Sequence, residues 1–224
     1  VYAIKKEIVM LTRIVGDTHG KHAAYHKLLN SWDGDSIQIG DYGLGFSGYK
    51  LTDEWVTDWQ LYNPQHRFIR GNHDNPEACR AAPNWIADGT VEHDVMFIGG
   101  AWSIDNPVAP PGWYRRTAGI DWWPDEECSD DQFELMFETY KRVKPRVMIT
   151  HDCPASISYY MFWGSGLIKG PTYPNRTSAW FEQFYKAHQP DHWLFGHWHK
   201  TMTHKQGNTI FQCIGELDFV DIDI

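Results

Sequence analysis

Three times in the first third of the chain a short apolar run reaches a glycine, and a side chain with a lone pair to offer follows at once. Ile8–Val15 runs into Gly16-Asp17-Thr18-His19, Ser36–Ile39 into Gly40-Asp41-Tyr42-Gly43, and Arg67–Arg70 into Gly71-Asn72-His73-Asp74. Short runs rich in β-branched and apolar residues predict buried strands. After the first of them Lys21–Ser31 has helical spacing, with Tyr25, Leu28, Leu29 and Trp32 on one side. Asp17 and His19 are therefore placed at the carboxyl end of a strand entering a helix, where open α/β sheets hold their ligands. Singly, each motif has a plain explanation: Asp17 as a helix cap, the Asn72–Asp74 stretch as an ordinary turn. The recurrence does not.

The second half repeats the pattern. Arg146–Thr150 delivers His151-Asp152-Cys153-Pro154, and Asp191–Phe195 delivers Gly196-His197-Trp198-His199. Around a glycine turn, two imidazoles one residue apart diverge and face two neighbouring points. The strand ends together supply Asp17, His19, Asp41, Asn72, His73, His151, His197 and His199, too many donors for one divalent ion and suited to two that share a carboxylate. Mixed nitrogen and oxygen donors accept Mn, Fe, Zn, Co, Ni or Mg.

Between these motifs the chain predicts a loop over Leu44–Lys50, a helix over Thr52–Leu61 with Trp55, Val56 and Trp59 inward, and irregular or helical chain over Glu77–Asp88. Val95–Ile98 is a further strand. Ser129 caps a helix whose first turn carries Asp130 and Asp131, with Phe133, Met136, Phe137 and Tyr140 on one face. Tyr159–Pro174 reads as a loop, Thr177–His188 as a helix burying Trp180, Phe181, Phe184 and Tyr185, and Thr209–Val220 as two short strands closing the sheet. Residues 101–127 show no period and hold Trp102, Trp113, Trp122, Trp123 and the pair Arg115-Arg116. Long irregular segments in compact domains are commonly lids or binding loops. This one reads either as a lid or site wall, with Arg115 or Arg116 reaching a phosphate, or as a surface loop pinned by its aromatics.

The 224 residues suit a single domain over 1–224. A formal charge of −9 offers no basic face for a phosphate backbone, so nucleic acid is expected only as a substrate. No apolar run approaches the ~18 residues of a membrane helix, and Val1–Leu11 is too brief for a signal peptide. Residues ahead of Met10 read as a processed, tagged or misassigned leader. Cys79, Cys128, Cys153 and Cys213 form no Cys-x-x-Cys pair and read as free thiols, placing the chain in the cytoplasm.

The ordered set Asp17-x-His19, Gly40-Asp41, Gly71-Asn72-His73-Asp74, His151 and Gly196-His197-x-His199 resembles the signature of the calcineurin-like metallophosphoesterase superfamily over residues 16–199. That resemblance implies a four-layer α/β/β/α sandwich with a dinuclear site on loops at the strand ends. It implies that Asp17, His19 and His199 ligate one metal, Asn72, His151 and His197 the other, and Asp41 both. His73 then donates a hydrogen bond or proton to substrate, with Asp74 orienting its ring or holding the turn. The implied activity is hydrolysis of phosphate mono- or diesters by attack of a metal-bridging hydroxide, with two divalent ions, manganese first, as cofactors. The Val-Asp-Arg-Gly run of the superfamily's protein phosphatases is absent, since Gly40-Asp41 continues as Tyr42-Gly43-Leu44-Gly45. The run Gly99–Asp105 and the later Asp121–Glu127 look similar to small stand-alone bacterial and phage members. The alternatives are a nuclease of the same superfamily and a catalytically inactive interaction scaffold. The first is disfavoured by the acidic charge, the second by the completeness of the ligand set.

Overall fold

The computed structural model describes residues 11–47, 63–109, 114–169, 172–173 and 175–224. The helix expected over Thr52–Leu61, the first residues of the Ile8–Val15 run, and Trp113 lie outside them. In chain order the strands are β1 (Leu11–Val15), β2 (Ser36–Ile39), β3 (His66–Ile69), β4 (Val91–Glu92), β5 (Val95–Ile98), β6 (Val147–Thr150), β7 (His192–Phe195), β8 (Met202–Gln206), β9 (Thr209–Cys213) and β10 (Phe219–Asp223). The α-helices are α1 (His22–Leu29), α2 (Pro76–Ala81), α3 (Asp130–Val143), α4 (Ala155–Ser158) and α5 (Arg176–Ala187).

The strands form two sheets, ordered β10-β1-β2-β3 and β4-β5-β6-β7-β9-β8. β1, β2 and β3 are parallel, as are β5, β6, β7 and β9; antiparallel β10, β4 and β8 lie at the edges. Parallel strands buried on both faces read as continuous apolar runs, and alternate residues then serve different cores. Ile14, Ile37, Ile69, Phe97, Ile149 and Leu194 meet in the cluster between the sheets. Their neighbours Val15 and Phe68 turn outward onto Tyr25 and Leu29 of α1 and Cys79 of α2. On the other side Met96, Met148, Trp193 and Phe195 pack on Phe133, Met136 and Tyr140 of α3 and Phe181 and Phe184 of α5. Three cores separate four layers, the α/β/β/α order expected.

The helix ends follow from their side chains. Ser129 caps α3 in a full capping box with Gln132, and Asn75 and Asn175 cap α2 and α5. Three expectations are corrected. The last two strands do not close one sheet: β9 belongs to the second sheet and β10 crosses back to pair with β1. The Tyr159–Pro174 segment begins as helix, α4 running on into a π-helical turn at Tyr159–Trp163. Trp180 is only half-buried, its indole N–H donating to Asp130 at 2.8 Å. All four cysteines are free and buried. Among the described residues no helix is long and apolar enough to cross a membrane.

Candidate metal centre

Parallel register brings the strand ends level. Ile39 pairs with Ile69, and Thr150 with Phe195, so the loops after β2, β3, β6 and β7 leave side by side. Those loops turn sharply. His19, Asp41, His197 and His199 all adopt left-handed backbone, with φ of 46°, 54°, 66° and 52°. Each such non-glycine residue costs about 1–3 kcal/mol and persists only where its surroundings hold it. The glycines ahead of the motifs supply that hold by letting loops interlock. A Cβ on Gly40 would overlap the His151 ring, one on Gly71 the backbone and carboxylate of Asp41, and one on Gly196 the Asp17 carboxylate.

Two groups of donor atoms result. In the first, Nε2 of His19 lies 2.7 Å from Nε2 of His199. Asp17 Oδ2 is 3.2 Å from His199 Nε2 and 3.7 Å from His19 Nε2. Asp41 Oδ2 completes the group, 3.8 Å from His19. In the second, Nε2 of His151 is 3.1 Å from both Asp41 Oδ1 and Asn72 Oδ1, and His197 Nδ1 is 3.0 Å from Asn72 Oδ1. Within each carboxylate and histidine group the donor atoms all lie within 4.8 Å of one another. Asp41 gives one oxygen to each.

This donor set fits a pair of divalent ions. Ligands held about 2.0–2.1 Å from a common ion sit roughly 3 Å apart, as these atoms do. Asp17 Oδ2 is buried without a hydrogen-bond donor, an arrangement that costs free energy unless a cation answers it. Nδ1 of His151 is 2.9 Å from the Ile39 carbonyl, the backbone partner that turns the opposite nitrogen toward the site. Burial opposes charge on both members of the His151–Asp41 pair. The histidines nevertheless hold the Asp41 carboxyl well below the usual range, and the carboxylates lift His151 to about 10. A field that retains a proton there favours any other cation at the same point.

His73 stands beside the donors. Its backbone N–H donates to Asp41 Oδ1 at 2.8 Å, and its ring stacks on Phe46 at 4.8 Å. Buried Arg116 donates from Nη2 to His73 Nε2 at 2.5 Å. Burial lowers the His73 pKa to about 4, with Arg116 and His19 adding to the effect against Asp41. With Arg116 as the donor, His73 Nε2 is the acceptor in this arrangement. The paired arginines separate: Arg116 lines the cavity over the centre, while Arg115 is exposed. Asp74 holds loops together, its carboxylate accepting from the backbone N–H groups of Tyr42, Gly43, Leu44 and Gly71 at 2.7–3.1 Å.

Trp102, Ser103, Ile104, Asp105 and Arg116 line the cavity, and their neighbourhood holds residues that the strand-end pattern does not reveal. The Asn72 amide nitrogen donates to Ser103 Oγ at 3.0 Å, and Arg116 Nη1 donates to the same oxygen at 2.9 Å. Ser103 in turn donates its hydroxyl to Glu126 at 2.6 Å and its backbone N–H at 2.9 Å. Arg70 anchors the segment from below, donating to Asp88 at 2.7 Å and to the carbonyls of Asp125 and Glu126 at 2.8 Å. The sequence signals for this network were the Gly99–Asp105 and Asp121–Glu127 runs, which contain Ser103 and Glu126.

The calcineurin-like phosphoesterase family model matches residues 10–201. No curated protein matches the chain. Among solved structures, a Staphylococcus aureus protein described as a candidate 5'-nucleotidase is similar at 15% identity and a TM-score of 0.50, over 93% of this chain and 49% of its own. This chain therefore spans about half of that one. GAP50, described as the anchor in the inner membrane complex of Plasmodium, is similar at 13% identity and a TM-score of 0.50, over 92% of this chain and 71% of its own. A conserved Streptococcus pneumoniae protein described as a predicted phosphoesterase aligns at 11% identity and a TM-score of 0.39, over 96% and 83%. At these identities the likeness to the first two is one of fold.

Proposed function

The chain belongs to the calcineurin-like phosphoesterase family, and from that membership we propose that it is a single-domain phosphoester hydrolase using two divalent ions, manganese first, on small phosphate mono- or diesters. The observation that carries this reading is Asp41, whose two oxygens enter two separate donor groups. Asp17, His19, His199 and Asp41 would hold one ion; Asn72, His151, His197 and Asp41 the other. Bound there, the ions supply Lewis-acid chemistry, polarising phosphoryl oxygens and making a water acidic enough to serve as nucleophile near neutral pH.

The chain's own residues do the rest. Ser103 aims the Asn72 carbonyl by taking its amide nitrogen. Arg116 presents a fixed planar charge at the cavity wall, suited to a phosphate oxygen. His73 is assigned to hydrogen-bond or protonate the leaving oxygen at Nε2, the atom that Arg116 holds before substrate arrives. A bound phosphate offsets the Arg116 charge, which favours a proton on His73. Asp74 keeps the β2 and β3 loops in register and has no assigned chemical step. The net charge of −9 supports a small ester over a polynucleotide, and four buried free thiols support a cytoplasmic location.

The test compares an aryl phosphate monoester with its diester, using metal-stripped protein titrated with Mn²⁺ and Asp41→Ala as control. Turnover that rises to a plateau at two ions per chain, and disappears in the variant, supports the reading. Two bound ions with turnover of neither ester would sink it.

A further inference from the structure

The cavity over the metal centre is larger than a phosphate requires. It holds about 400 Å³, a volume for a ligand of a few rings. The donors Asp41, Asn72, His197 and His199 line it together with His73. Much of its remaining wall is apolar: Trp102, Ile104, Trp163, Ile168, Tyr173 and Trp198. Trp102 and Tyr173 lie with ring centroids 5.8 Å apart and planes inclined by 32°. Trp163 meets Trp198 edge to face at 5.0 Å.

This wall is braced. Trp198 stacks on buried Phe162 at 4.5 Å, and its indole N–H donates to Asp152 at 3.0 Å. The π-helical turn at Tyr159–Trp163 sets Phe162 into the core and leaves Trp163 half-buried on the cavity side. Tryptophan and tyrosine offer large contact areas at small entropic cost, and their faces favour another π-system over saturated carbon. Charge narrows the choice further. Among the described lining residues Arg116 is the sole Lys or Arg, and its Nε is 2.8 Å from Asp105. Apart from Arg116 and the ions of the adjoining centre, no cation among the described lining residues answers a second phosphate.

We propose that this wall binds the non-phosphate part of the substrate and selects a flat aromatic or heteroaromatic group carrying a single phosphate. The proposal rests on the phosphoesterase reading of the adjoining centre. Asn175 and Asp105, on the same wall, add hydrogen-bonding capacity for ring heteroatoms.

Benzyl and cyclohexylmethyl esters separate aromatic selection from plain apolarity, because both leave as alkoxides of similar basicity. Calorimetry on the metal-loaded protein would compare benzylphosphonate with cyclohexylmethylphosphonate, while hydrolysis of the two matching phosphates is followed in parallel. Benzylphosphonate is expected to bind about tenfold more tightly, the scale of one good aromatic contact. Trp102→Ala should bring the ratio close to one and Trp102→Phe should restore most of it. Tyr173→Leu gives the same reading if Trp102→Ala does not fold. Equal binding of both phosphonates, or a preference that neither alteration moves, overturns the proposal. A preference in binding with no turnover of either phosphate supports the pocket and overturns the hydrolase reading instead.

Discussion

The amide nitrogen of Asn72 donates to the hydroxyl oxygen of Ser103 at 3.0 Å, joining a metal-centre loop to the Trp-rich wall thirty-one positions away. An amide side chain offers oxygen at one end and nitrogen at the other, so whatever takes the nitrogen decides where the oxygen points. Ser103 is held for that task by Glu126, which accepts its hydroxyl proton at 2.6 Å. Outer partners of metal ligands are commonly worth about 10–100-fold in affinity or activity. Ser103→Ala is therefore expected to weaken the second ion by that range and leave the first, made of Asp17, His19 and His199, much closer to wild type. Competition with a chelating dye, resolving two binding steps, reads this directly. Equal loss at both steps would show general loosening and refute the positioning role.

Arg115 and Arg116 are chemically identical neighbours with different surroundings. Arg116 is buried and fixed by Asp105, Ser103 and His73; Arg115 is exposed. Lysine keeps the charge but loses the planar fork. Arg116→Lys should lower kcat/KM for a phosphate ester by about a hundredfold, on the scale of a lost charge-assisted pair. Arg115→Ala should stay within about twofold. Comparable losses at both positions would reverse the assignment.

The clustered donor residues were legible because chemistry at strand ends leaves a mark: an apolar run, a glycine, then Asp, Asn or His. The reason for each glycine was not. Gly40 admits His151, Gly71 admits Asp41 and Gly196 admits Asp17, pairings between segments far apart in sequence. The left-handed backbone at Asp41 and His197 is not fixed by residue type, since Asp and His are enriched in that region but mostly lie outside it. The stretch Thr209–Val220 read as two short strands, but nothing in it says which sheet a strand joins, and β9 and β10 went to different ones. Ser103 and Glu126 stand in the Gly99–Asp105 and Asp121–Glu127 runs, but a segment with no period says nothing of their contact. Asp74 was open between orienting the His73 ring and holding the turn, and its carboxylate accepts from four backbone N–H groups.

Gly71 offers the sharpest test of that interlock. A methyl group there would meet the backbone nitrogen and Oδ1 of Asp41, with His151 Nε2 at 2.8 Å. Two of these neighbours are backbone or tightly held, so the strain falls on the shared carboxylate. Gly71→Ala should cost about 1–3 kcal/mol of stability, the usual scale of overpacking, and reduce bound metal below two ions per chain. Denaturant unfolding of the stripped protein and metal analysis of the loaded one measure the two effects separately. Full metal content in a folded variant would contradict the close approach.

Glu126 ties stability to pH. Its carboxyl is buried, and burial raises its pKa to about 7 against the hydrogen bonds from Ser103 and the charge of Arg116. The folded protein therefore holds a proton that the unfolded chain, with an ordinary glutamate near 4.5, has already released. Stability from this group is complete below pH ~4.5 and is lost as pH rises through ~7. Over that window the slope of unfolding free energy against pH is negative, and its integral is on the order of 3 kcal/mol. Glu126→Gln keeps the shape and abolishes the titration. Asp152, whose pKa burial raises to about 6, titrates in the same range, so the informative quantity is the difference between the two proteins. Urea unfolding of stripped wild type and variant at pH 5 and pH 8 should show the wild type losing more stability toward pH 8. Parallel pH profiles would mean that Glu126 stays ionised throughout, held by Ser103 and Arg116 more firmly than its burial allows.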